Sequence, residues 1–196
     1  MPFEIVTAED VTAVGRGGEL RVKPGTVVTD WAREIAQSRE VKIIEAEGAA
    51  RLSLAIGSDH GGFALKEQLK ASLLESFAIR DAGAHSAEAV DYPDFAAAVG
   101  RLVATSQCDF GIVIDAMGIG SAMAANKIRG IRAAVCHDEA SARNAREHND
   151  ANVITMGAKQ IDAARALPLI HLFVATKCVE ERHKRRVAKI IALERS

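Results

Sequence analysis

Aromatic side chains are scarce in this chain: one Trp, one Tyr and six Phe among 196 residues, 4% in all. Its core must therefore be assembled mainly from Ala, Val, Ile and Leu. Cysteine is almost absent, and Cys108, Cys136 and Cys178 are scattered, odd in number and in no metal-ligand spacing. Reduced thiols and a cytoplasmic setting follow as expectations. Excess charge is lacking too. A formal net charge of −1 removes the electrostatic case for a nucleic-acid partner. No uninterrupted apolar run reaches the length of about 18 residues that a membrane span needs. The opening MPFEIVTAED carries acids where a signal peptide carries a basic run and an apolar block. No internal repeat or low-complexity segment is evident.

What is present is apolar and patterned. Apolar residues make up 48% and charged residues 26%, a composition that excludes wholesale disorder. The first fifty residues read apart from the rest, with six Lys/Arg against nine Asp/Glu. Thr7 followed by Asp10 predicts a capped helix over 8–14. GELRVKPGTVVT predicts two short strands about the Pro24-Gly25 turn. Thr29 or Asp30 caps a helix over 31–37, and VKIIEA reads as a strand. Residues 47–51, EGAAR, form a linker, so the predicted organisation is an N-terminal α+β extension over 1–50 and a main domain over 51–196.

From Leu52 onward strands and helices alternate. LSLAIGS, AIRDAG, FGIVIDA, IRAAVCH and ANVITMG read as strands. The first helix carries Phe63, Leu65, Leu69, Leu73, Leu74 and Phe77 at helical spacing. Further helices are expected over 93–104, SAMAANK, EASARNAREH, ARALPLIHLFVAT (despite Pro168) and the basic tail VEERHKRRVAKIIALE. Five strands, apolar throughout, predict an α/β fold with a parallel sheet covered on both faces. Its ligand crevice belongs at the carboxyl ends of the strands.

Several polar clusters sit at such ends. Asp115-Ala116-Met117-Gly118-Ile119-Gly120-Ser121 leaves a strand and enters a helix, where two glycines permit a tight turn and free amides face an anion. Asp115 reads equally as a helix-capping acid. His148 closes a helix; a proton donor near neutral pH and a complement to the helix dipole are both open readings. Asp59-His60 carries the same ambiguity. Arg182 and Arg186, four apart on one helix face, suit a shared phosphate or a solvated basic face.

Taken together, SDHGGFALK, VDYPDFA, GIVIDAMGIGSAMAANKIRGIRAAVCHD, ARNAREHNDANVITMGA and ERHKRRV resemble, in order and spacing, the type B ribose-5-phosphate isomerases. The wider group includes allose-6-phosphate, galactose-6-phosphate and tetrulose-phosphate isomerases. The resemblance spans about residues 52–194. It implies a Rossmann-like three-layer α/β/α sandwich and a homodimer or homotetramer with active sites between subunits. It also implies aldose–ketose isomerisation without metal or cofactor. D-Ribose 5-phosphate/D-ribulose 5-phosphate is the default pair. A tetrulose phosphate such as D-erythrulose 4-phosphate, a hexose 6-phosphate, or a non-catalytic sugar-phosphate-binding subunit are the alternatives.

Carried over by residue, the resemblance makes Asp115 the base and His148 the ring opener. Asp59, His60 and Asn149 contact the sugar phosphate, the loop Ala116, Met117, Gly118, Ile119 and Gly120 forms an anion hole, and Lys159, Arg182 and Arg186 reach the phosphate. Asp115-Ala116-Met117 stands where many members carry Cys-Gly-Thr, Ser121 where another branch carries a Glu, and Lys159 where the family carries an Arg. A carboxylate is ionised at neutral pH, unlike a thiol, but it is an intrinsically weaker base. Met117 replaces a hydroxyl with apolar volume, which predicts a shifted substrate range.

Overall fold

The computed structural model describes residues 5–22, 26–45 and 51–195. The chain divides into two compact units, Met1–Leu52 and Ser53–Ser196. The turn predicted at Pro24-Gly25 and most of the linker 47–51 lie outside the described residues.

The first unit contains a structural duplication that the letters hide. Strand β1 (Ile5–Val6), helix α1 (Ala8–Ala13) and strand β2 (Glu19–Val22) are followed by β3 (Val27–Val28), α2 (Asp30–Ser38) and β4 (Lys42–Glu45). In each half a threonine caps the helix: Thr7 accepts from the Asp10 amide within a capping box, and Thr29 accepts from the Ala32 amide. In each half a left-handed residue then turns the chain, Gly17 at φ +75° and Glu40 at φ +58°. The strands on either side of Pro24-Gly25 do not pair with each other. β1 pairs with β3 and β2 with β4, both parallel. Val6, Val11, Val22, Ala32, Ala36 and Val41 form the unit's core. Its fully buried members are Val and Ala, with Leu20, Ile35 and Ile43 packed against them, and the halves match in backbone rather than in residues.

The second unit is built on β5 (Ser53–Ser58), α3 (Phe63–Leu73), β6 (Ala78–Asp81), α4 (Tyr92–Ala104), β7 (Phe110–Asp115), α5 (Ile119–Ala125), β8 (Ala133–Val135), α6 (Glu139–Asn149), β9 (Val153–Gly157), α7 (Ala163–Ala175) and α8 (Glu181–Ala192). The five strands form one parallel sheet in the order β6-β5-β7-β9-β8. Helices α4 and α5 cover one face. Helices α3, α6 and α7 cover the other, and α8 packs on α6. This is the α/β sandwich expected from alternating strands and helices, except that the edge strand β6 carries Arg80 and Asp81 and is not apolar throughout.

Alanine and glycine let the layers approach closely. Ala55 and Val113 of the sheet meet Ala96, Val99 and Val103 of α4 and Ala125 of α5 in one cluster. A side chain on Gly111 would stand 2.6 Å from Val99. The strand expected over IRAAVCH shortens to β8, because only Ala133–Val135 stand in ladder register with β9.

A buried ion cluster fixes α3 to the sheet edge. Lys66, with no exposed surface, donates to both Asp81 oxygens at 2.8 Å, and Lys70 donates to Asp81 at 2.6 Å. Burial favours the neutral form of Asp81, but the two lysines and the Gly83 amide outweigh it and hold this carboxyl below its usual value.

Strand order determines where a ligand fits. The chain steps from β5 outward to β6 and then back across to β7, so successive connections leave in opposite directions at the β5/β7 boundary. A crevice forms outside the carboxyl ends at such a switch point. The loops after Ser58 and Asp115 flank it.

Candidate active site

The loop after β5 is held against β7. The Asp59 amide donates to the Ile114 carbonyl at 3.2 Å, and Asp59 Oδ1 accepts from the Gly62 amide at 2.9 Å. Gly62 is required there, because a Cβ would stand 2.2 Å from the Ile114 carbonyl oxygen. Asp59 is buried and His60 is exposed, with its Nδ1 3.1 Å from the Val90 carbonyl oxygen.

Asp115 ends β7 as a buried carboxylate with four donors. Oδ1 accepts from the amides of Met117, at 2.7 Å, and Gly118. Oδ2 accepts from the Ser121 amide at 2.9 Å and its hydroxyl at 2.5 Å. Two acceptor sites per oxygen are all that a carboxylate offers in its plane. The carboxylate therefore pins its own loop, and of the four donors only the Ser121 hydroxyl can rotate away.

Gly118 completes the turn at φ +78°, with Met156 and Gly157 too close to admit a Cβ. The amides of Gly118 and Ser121, expected to face an enediolate, are thus committed to Asp115. Those of Ile119 and Gly120, at the start of α5, have no acceptor among the described residues. Met117 and Ile119 are 40% and 48% exposed.

The loop after β9 joins this group. The Lys159 amide donates to the Ala116 carbonyl at 3.1 Å, and Gln160 Nε2 lies 3.5 Å from Met117 Sδ. Lys159 lines an adjacent cavity of about 510 Å³ with Gly61, Gln68, Gln160 and Arg165.

The remaining candidates form a second group. His148, near the end of α6, stacks on His183 of α8 with ring centroids 4.0 Å apart and planes 12° apart. Arg182 and Arg186 flank His183 and are exposed, and Arg182 Nε is 2.5 Å from Glu180. Burial, then the neighbouring His148 and Arg182, hold the His183 imidazole below its usual value. Asn149 is exposed and borders a cavity of about 680 Å³ with Lys127, Arg132 and Ile190.

Arg146 bolts this corner down. Its guanidinium lies 4.8 Å above the Phe110 ring, and it donates to Asp150, Ala151, Phe173 and Thr176. Desolvation lowers its pKa, yet a guanidinium stays charged in proteins.

The two groups occupy opposite ends of the sheet. Helix α6 runs back from the carboxyl end of β8 over eleven residues, about 16 Å. Arg146 there meets Phe110, the first residue of β7, whereas Asp115 is its last. Along β7, the register from Gly111↔Val153 to Asp115↔Gly157 covers four residues, about 13 Å at the strand rise. Within one chain, Asp59, His60, the 115–120 loop and Lys159 come together, as do His148, Asn149, Arg182 and Arg186.

Sequence reading missed Asn144, which contacts His148, and the burial of His183. The i, i+4 spacing of Asn144 and His148 on a helix was the available signal. Among the described residues no group of three or more His, Cys, Asp or Glu side chains is arranged to hold a metal ion. Nor is any described helix long and apolar enough to cross a membrane.

Comparison with known proteins covers the second unit. The ribose/galactose isomerase family model matches residues 54–190. The ribose-5-phosphate isomerase B of Escherichia coli K12 is 39% identical over 142 residues, which is 72% of this chain and 95% of that protein. The Clostridium thermocellum ribose-5-phosphate isomerase B structure superposes with a TM-score of 0.72 at 41% identity, over 74% of this chain and 98% of that one. The Mycoplasma genitalium enzyme, solved with bound ribulose-5-phosphate, gives a TM-score of 0.70 at 34% identity, over 75% and 99%. With its switch-point loops and five-stranded parallel sheet, this chain belongs to the ribose/galactose isomerase family.

Proposed function

We propose that this enzyme interconverts D-ribose 5-phosphate and D-ribulose 5-phosphate through an enediolate, in a site that two copies of the chain build together. The observation that carries this reading is the placement of the candidate residues in two groups at opposite ends of one sheet. A sugar phosphate some 7 Å long does not bridge them within one chain, so one copy supplies the Asp115 loop and a second supplies His148, Asn149, Arg182 and Arg186. Closed two-fold association is the simplest such arrangement.

In that site Asp115 takes the base position. It accepts the C2 proton when the Ser121 hydroxyl turns away and frees an Oδ2 lone pair. The proton then goes to C1, and the amides of Ile119 and Gly120 face the enediolate oxygen, where a well-placed donor contributes about 3 kcal/mol. Asp59 and His60 orient the sugar, and Arg182 and Arg186, with Lys159, hold the phosphate. His148 and Asn149 serve the ring oxygen and hydroxyls. The unpaired thiols of Cys108, Cys136 and Cys178 fit a reducing cytoplasm.

Subunit mixing tests the shared site. Asp115→Asn and Arg186→Ala chains, each inactive alone, should regain roughly a quarter of native turnover when refolded together as dimers, because one site in each mixed dimer is intact. No recovery in a verified mixed oligomer would refute a site built by two copies.

A second reading concerns substrate length. Met117 presents an apolar, 40% exposed side chain beside the crevice. This favours a shorter sugar such as D-erythrulose 4-phosphate, and comparing kcat/KM across tetrose, pentose and hexose phosphates decides between them.

A further inference from the structure

We infer that Asn144 is a positioning residue: it sets the tautomer of His148, so that His148 meets the sugar as a hydrogen-bond donor through Nε2–H rather than as a proton acceptor. The inference rests on the isomerase reading for its substrate, but not for the state of the ring.

Asn144 and His148 stand four residues apart on α6, one above the other on the same helix face. The Asn144 side-chain nitrogen lies 2.9 Å from His148 Nδ1. The amide's orientation follows from its other end, because Asn149 Nδ2 lies 3.3 Å from the Asn144 main-chain oxygen and 3.5 Å from its Oδ1. The oxygen end therefore faces a donor and the nitrogen end faces the imidazole. An amide nitrogen only donates, so Nδ1 must accept and the ring proton resides on Nε2. A proton on Nδ1 would set donor against donor.

The His183 ring fixes the plane of this arrangement. It lies flat against His148, is 3% exposed, and has no hydrogen-bond partner at Nδ1 or Nε2. Packing holds this ring, with the Glu180 carboxylate 3.6 Å from Nε2, and burial keeps its pKa below the usual value. Around the pair stand Glu180, just before α8 and engaged by Arg182, and Arg182 and Arg186 of α8. A ring with Nε2 protonated and Nδ1 occupied stabilises an oxygen by hydrogen bonding, as neutral histidines do at other isomerase centres. Directed at the ring oxygen of a cyclic aldose, Nε2–H supplies the proton that this oxygen takes up as the C1–O bond breaks, while the anomeric hydroxyl gives its proton to water, which returns one to Nε2.

The test uses the full-length protein labelled with nitrogen-15, read by long-range proton–nitrogen NMR of the His148 ring. The native spectrum should show Nε2 protonated and Nδ1 bare. Asn144→Leu should give mixed tautomers, and Asn144→Asp, which offers Nδ1–H an acceptor, should move the proton to Nδ1. A native ring protonated at Nδ1, or a spectrum unchanged in Asn144→Leu, would overturn the inference.

Kinetics supply the second readout. D-Ribulose 5-phosphate has no ring to open, since its 5-hydroxyl is phosphorylated. Asn144→Asp should slow conversion of D-ribose 5-phosphate about tenfold, the value of one hydrogen bond, while deuterium exchange into D-ribulose 5-phosphate stays within about twofold of native. Equal losses in both would reduce Asn144 to a structural residue. Absence of both activities in the native protein would refute the isomerase reading and leave the NMR result to decide the tautomer.

Discussion

Replacing Asp115 by Asn exchanges one oxygen for an NH2 group and removes the anchor of the loop. Its four donors approach in pairs: the Met117 and Gly118 amides at Oδ1, the Ser121 amide and hydroxyl at Oδ2. An asparagine offers one oxygen and one NH2 group, so one pair must face a donor. Turning the NH2 toward Ser121 does least harm, because the hydroxyl can rotate to accept. The Ser121 amide is then left unsatisfied in a buried site, at a cost of about 1–3 kcal/mol. The pair at the oxygen keeps its geometry but loses charge assistance, about 1 kcal/mol for each bond. The sum is about 3–5 kcal/mol, a large fraction of the 5–15 kcal/mol typical of a domain. Urea unfolding should show a lower midpoint at unchanged slope, and proton exchange at the substrate carbon should vanish. A loss of stability below about 1 kcal/mol would show that the carboxylate does not pin the loop. Near-native turnover in the same variant would show that it is not the base.

Other substitutions probe separate parts of the account. Ser121→Ala removes the one rotatable donor, so stability should fall by about 1.5–3 kcal/mol, with kcat for open-chain substrate retained or raised; a collapse of kcat would instead make the hydroxyl part of the proton path. Lys66→Met strips a buried cation from Asp81, and because Lys70 remains at 2.6 Å the cost should sit near the lower end of the range for broken buried pairs, about 3 kcal/mol. Thermal unfolding reads it directly. The half-buried imidazole of His171 and the buried one of His183 are both held below their usual value, chiefly by desolvation. The unfolded chain therefore binds protons that the folded one refuses, and stability should fall as pH drops below about 6.5. A second decline, as the lowered carboxyls of Asp81, Glu67 and Asp138 are protonated, should begin near pH 4. Stability flat between pH 7 and pH 5 would contradict the histidine assignment.

Most of the sheet domain was legible because β5, β7 and β9 are nearly continuous apolar runs ending in Ser, Asp and Gly, a signal that survives without homologues. The short strand over 133–135 and the early start of α5 at Ile119 depend on which backbone groups find partners, and letters do not report that. The duplication in the N-terminal unit was hidden because its halves share caps and left-handed turns rather than residues; Gly17 and Glu40 adopt the same hand with unrelated side chains.

At the site, the motifs identified which residues matter but not how they are engaged. Asp115 reads in sequence as either a base or a helix-capping acid, and its four donors show the capping engagement, which saturates it. Nor does linear order show that Asp115 and His148 face opposite ends of one sheet. That depends on α6 running antiparallel to the strands, and it sorts the thirteen candidates into two groups.

Enediolate chemistry passes a substrate proton through an exchangeable base, and isotope exchange reads it without a coupled assay. Native protein incubated in heavy water with D-ribose 5-phosphate should place deuterium on the carbon next to the carbonyl, visible by proton NMR as loss of that proton's signal. The label should appear in both sugars as equilibrium is reached, and an Asp115→Asn control should show none. Conversion of the aldose to the ketose with no solvent deuterium incorporated at that carbon would contradict proton transfer through an exchangeable base. Absence of exchange across tetrose, pentose and hexose phosphates, with binding retained, would contradict the isomerase itself.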